Sequence, residues 1–139
     1  MIRAILTALA LAFPAIAVAD AADFYPNLPS AQARYAAYAA SPDCTGPELD
    51  TLMDFLENRR IYSRAEMVMD QLQGGTSGLD AATTGALAEI ALAKLAWEKE
   101  CPDVARELLL GVIYTYQGEA FGAVRTHATI IIDDIRASQ

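Results

Sequence analysis

The stretch ENRRIYSRAE, Glu57 to Glu66, concentrates the side chains best suited to recognition chemistry. It places Arg59, Arg60 and Arg64 beside Tyr62 in a chain whose formal net charge is −8. Guanidinium groups form rigid forked hydrogen bonds to carboxylates, and an adjacent aromatic ring adds contact area. The combination reads as a partner-binding patch for a carboxylate or an acidic protein surface. Arg60 and Arg64 share a helical side only if the helix through them is unbroken. The competing reading is internal, with the arginines paired to Glu57 or Glu66. Trp97 is a second candidate partner contact, set against a place at the core or its rim.

Glu57, Glu66 and Asp70 are the carboxylates nearest the patch, and Glu66 and Asp70 stand at i,i+4. Such a pair serves as general acid and base only where burial drives the two pKa values apart. At solvent-facing positions the same residues are surface charges. His127 is the only histidine; it can share a helical side with Asp134, but no third ligand completes a metal site. GGTSG at 74–78 is followed by Leu79 and Asp80, without the Lys and Ser or Thr of a phosphate-binding loop. No catalytic residue, metal or cofactor is assigned. Cys44 and Cys101 lack CxxC spacing and are expected to form a structural disulfide in an oxidising compartment, against free thiols or a redox pair.

That compartment follows from MIRAILTALALAFPAIAVAD. Arg3, the apolar stretch Ala4 to Ile16, and the small residues Ala17 to Ala19 have the order of a signal peptide cleaved before Asp20. As a helix, Ala4 to Ala19 would span about 24 Å of a hydrocarbon core of about 30 Å, and Pro14 removes a backbone donor. A retained anchor is the alternative; after cleavage no stable membrane insertion is expected. Loss of Arg3 leaves 9 basic and 18 acidic residues, a net −9. That balance argues against nucleic acid and anionic lipid surfaces as partners.

The elements that must position these residues read as helices. Residues 20–29, with Pro26 and Pro29, are expected to be an extended lead, and 30–139 one helical domain. SAQARYAAYAA gives a short helix with Ser30 as N-cap. Thr45 and Glu48 have capping-box spacing, and Leu49, Leu52, Met53 and Leu56 follow on one face. Ser63 and Glu66 repeat that spacing, and Ala65, Val68, Met69 and Leu72 repeat the apolar face. A break near Ile61 is slightly favoured over one long helix. A further helix is expected from Leu79 to Glu100, with Ser77 as a candidate cap. ELLLGVIYTYQGEAFG, residues 107–122, reads as a central packing helix in which Gly111, Gly118 and Gly122 admit another backbone, with β structure the alternative. A last helix through Ala120–Arg136 should bury Phe121, Val124, Ala128, Ile131 and Ile135.

The expected fold class is all-α: a small helical bundle or helical-hairpin array of about four to six helices with one disulfide. The expected function is that of an exported, non-catalytic protein, periplasmic or secreted, that binds or supports another envelope or secreted protein through a helical surface. Homo-oligomerisation is a further possibility for the glycine-bearing face. The alternatives are a small periplasmic hydrolase using dispersed carboxylates and an inhibitor or immunity protein that blocks a partner.

Overall fold

A computed structural model describes residues 29–139; the expected signal peptide and nearly all of the expected lead lie outside them. Among the described residues five α-helices follow in order: α1 Pro29–Ala40, α2 Pro47–Gln73, α3 Ser77–Glu98, α4 Pro102–Thr115 and α5 Gly122–Ala137. A 3₁₀ turn, Glu119–Phe121, precedes α5. The all-α fold and its disulfide agree with the sequence reading. Each helix packs mainly on its neighbours in sequence, and α3 also touches α1 and α5.

The centre of the molecule is α3, not the glycine-broken run of α4 that the sequence suggested. Ala82, Ala86, Ala88, Ala91, Ala93 and Ala96 are buried together with Ile90, Leu92 and Leu95. Small side chains around most of its circumference let several helices approach at once, and the short straight-chain residues suit a helix. On α4 only Ala105, Leu109 and Val112 are buried, while Leu110 and Tyr114 are exposed. No described residue packs against a Cβ placed at Gly111, Gly118 or Gly122, so the expected close approach at these glycines does not occur among the described residues. Gly118, at φ 97°, instead ends the α4 region and admits the 3₁₀ turn. The face expected for the last helix is the one it buries, from Phe121 and Val124 to Ile135.

Pro29 lies in α1 rather than in an extended lead, and Ser30 lies inside that helix. Tyr35 and Tyr38 are fully buried along one side of α1. Their hydroxyls donate to the Ala88 carbonyl at 3.1 Å and the Cys44 carbonyl at 2.9 Å, so the buried phenols are satisfied. Burial raises the Tyr38 pKa. Lys99 Nζ donates to the Tyr38 and Asp43 carbonyls and sits 3.6 Å from the Tyr38 ring centroid. Burial lowers the Lys99 pKa, opposed by the charges of Asp43 and Glu48. Cys44 and Cys101 are joined beside this cluster, with Cα atoms 5.6 Å apart. The covalent link therefore ties the α1–α2 connection to the α3–α4 junction. At that junction Glu100, at φ 65°, forms the left-handed step of a helix cap. Its N–H donates to Trp97, and the Cys101 N–H donates to Ala96.

Candidate functional site

Three sequence expectations for α2 require correction. The helix runs unbroken for 27 residues, with no break near Ile61. Its N-cap is Gly46 with Pro47 following, so the Thr45–Glu48 capping box is out of register and forms no side-chain cap. Ser63 starts no second helix: it is buried, and its hydroxyl donates to the Arg60 carbonyl at 2.9 Å. That local bond satisfies a buried polar group without interrupting the helix.

A further correction concerns which side faces inward. Leu49, Leu52 and Leu56 are buried, as expected. Ala65, Val68, Met69 and Leu72 are not: all four are exposed, Leu72 at 78 %. Ile61 and Tyr62 join them on the outer surface. The inward positions of this half are instead Arg60, Ser63, Met67 and Asp70, at helical spacing. Two contacts hold the half in place without a large apolar seam. Gly78 of α3 lies so close that an added Cβ would stand 2.2 Å from the Met67 nitrogen. The Asp70 carboxylate accepts the Gly78 N–H at 2.6 Å and the Ser77 hydroxyl at 3.1 Å. Asp70 thus supplies the helix-start acceptor that neither Thr76 nor Ser77 provides.

The sequence-selected residues separate into distinct settings. Arg60 pairs with Glu89 of α3, not with Glu57 or Glu66, and Tyr116, just after α4, donates to the same carboxylate. Arg60 also lies 6.0 Å from the Tyr116 ring centroid. Burial would lower the Arg60 pKa, but the Glu89 charge and hydrogen bond raise it overall. Burial, followed by the Glu89 charge, raises that of Tyr116 well above the ordinary phenol value. Tyr116 is therefore held as a neutral donor and Arg60 as a cation. Arg59 lies 5.5 Å from the ring centroid of exposed Tyr62, and Arg64 is exposed. Trp97 packs against the core more than two turns beyond Glu89 on α3, so it does not join the arginines.

Beside the Arg60 pair, an open groove of about 390 Å³ runs between α2 and α4. Asp50, Met53, Asp54, Leu56, Glu57 and Arg60 line it from α2, Glu89 and Leu92 from α3, and Leu108 from α4. Exposed carboxylates at an apolar floor suit a long cationic side chain, whose methylenes can lie on Leu92 and Leu108 while its head meets carboxylate. The acidic residues that sequence reasoning missed are Asp50, Asp54 and Glu89. The i,i+4 spacing of Asp50 and Asp54 was a visible signal; Glu89 was concealed within an alanine-rich helix.

The other chemical candidates lie elsewhere. Asp70 serves the α2–α3 corner, so Glu66 and Asp70 do not form an isolated acid–base pair. Burial, followed by the charge of Lys94, lowers the His127 pKa. Among the described residues no group of three His, Cys, Asp or Glu side chains is placed to hold a metal ion, and no helix is long and apolar enough to cross a membrane. These features define a small all-α protein with one disulfide and an unusually two-faced second helix. No protein-family model, curated protein or solved structure matches the chain.

Proposed function

We propose that this chain is an exported, non-catalytic protein that binds or supports another envelope protein through the outer surface of α2. The observation that carries the reading is the exposed series Ile61, Tyr62, Val68, Met69 and Leu72, which no described residue covers. Isolated exposed apolar residues are ordinary, but a series on successive turns of one helix matches helix-mediated recognition. Export is supported by the leader-like composition of residues 1–19 and by a disulfide of the kind that persists in oxidising compartments. An inhibitor or immunity protein would use the same surface to block its partner.

A photo-crosslinking amino acid placed at position 62 or 72 tests the proposal in the native envelope. Both positions should give the same covalent adduct, identified by mass spectrometry, and exposed position 133 on α5 should give none. Absence of an adduct from 62 and 72 at native abundance would count against binding through α2. A hydrolase reading draws on the carboxylates of the groove, yet its lining includes no Ser, Thr, Cys or His. Turnover lost on Asp54→Asn or Glu57→Gln, with no adduct from α2, would favour that alternative.

A further inference from the structure

We propose that the partner element is a basic amphipathic helix that lies lengthwise along α2, an inference that rests on α2 being the binding surface. One longitudinal file on α2 contains Asp50, Asp54, Glu57, Ile61, Arg64, Val68 and Leu72. Their separations of three or four residues follow the seam used when two helices pack side by side. From Asp50 to Leu72 the file spans about 33 Å at ~1.5 Å per residue.

The file changes character along its length. Its first two turns present three exposed carboxylates at the mouth of the groove, and its last three turns present Ile61, Val68 and Leu72 on either side of the exposed Arg64, with Tyr62 and Met69 beside them. A complementary helix therefore has lysines or arginines at one end and an apolar stripe at the other. The basic side chains reach the groove, where Leu92 and Leu108 receive their stems and Asp50, Asp54 and Glu57 their charges. The apolar stripe covers the file from Ile61 to Leu72.

Charge selects this occupant over a second copy. The net charge of −8 opposes self-association, and a copy paired only over the apolar turns leaves the three acidic residues without counter-charges. An anionic membrane surface meets the same repulsion. A single basic helix uses both ends of the file.

Fluorescence anisotropy with the mature chain and two labelled synthetic peptides tests the proposal. One peptide is an amphipathic helix of Leu and Lys; the other has Glu at every Lys position. The Leu–Lys peptide should bind one to one, with affinity falling about tenfold or more as salt is raised, and the Leu–Glu peptide should bind at least about tenfold more weakly. Asp50→Asn/Asp54→Asn/Glu57→Gln should weaken Leu–Lys binding at least about tenfold. Val68→Ser/Leu72→Ser should weaken it similarly without adding charge, while Asp133→Asn/Asp134→Asn should change it less than about twofold. Circular dichroism checks that each variant remains folded.

Equal binding of both peptides, equal loss in the α5 control, or no effect of the serine pair would overturn the proposal. So would a dimer in sedimentation that the serine pair abolishes, because a second copy would then own the face. A crosslinked partner at positions 62 and 72 combined with no Leu–Lys binding would reject the basic helix and leave binding through α2 intact. Loss of both results would reject both readings.

Discussion

The two halves of α2 are built on opposite plans. From Pro47 to Asn58 the helix buries Leu49, Leu52 and Leu56 and turns Asp50, Asp54 and Glu57 outward. From Arg59 to Gln73 it turns Arg60, Ser63, Met67 and Asp70 inward and exposes Ile61, Val68, Met69 and Leu72. The first half is fixed by apolar burial and by the nearby disulfide. The second is fixed by backbone approach, a shared carboxylate and an ion pair, which leaves its apolar side chains available. Apolar burial and apolar exposure thus fall on different sides of one helix.

The covalent support of the first half should have the largest effect. Cys44→Ser/Cys101→Ser is expected to destabilise the chain by about 4 kcal/mol, the loop-entropy scale for a link of this span. Urea denaturation of the variant and the oxidised parent would measure it. A midpoint unchanged from the parent would show that the cluster of Tyr38, Lys99 and the Cys44 carbonyl holds the connection without the sulfurs.

Gly78→Ala should destabilise by about 3 kcal/mol, because the clash is with the backbone of Glu66 and Met67 and no flexible side chain can yield. Hydrogen exchange should accelerate most between residues 63 and 73, with less change near Leu52. Uniform acceleration would mean that the halves do not open separately. Asp70→Ala removes the acceptor for Gly78 and should cost about 1–2 kcal/mol by thermal denaturation. A loss below about 0.5 kcal/mol would assign the corner to the glycine contact alone.

Much of this architecture was legible in residue spacing. The final helix buries the face its apolar periodicity marked, because it packs from one side only. The cysteine pair was legible from its isolation and from the absence of a redox motif. The inversion of α2 was not legible, because buried and exposed apolar stripes share the same helical spacing. Arg60 suggested a break, yet Glu89 and Tyr116 make its inward position tenable across residue separations that sequence alone does not connect. The glycines of α4 were conspicuous in an apolar run, whereas the closely packed glycine is Gly78, inside GGTSG. Its role depends on α2 folding back over α3. The alanines of α3 had the complementary fate: low individual hydrophobicity concealed the helix that most others touch.

The sharpest separation of the two halves comes from the smallest expected effect. Leu52 and Leu72 are both leucines on the same helix, but Leu52 is fully buried and Leu72 is 78 % exposed. Truncating Leu52 to Ala removes packed methyl groups and should cost about 2–5 kcal/mol. Leu72→Ser removes little buried area, so its effect on the isolated chain should stay within about 0.5 kcal/mol. The same serine should nevertheless reduce adduct formation from a crosslinker at position 62 if α2 is the recognition surface. A stability loss above about 2 kcal/mol for Leu72→Ser would place that side chain in a core contact and remove it from the docking file. Near-neutral stability joined to lost crosslinking would instead assign its apolar area to a partner.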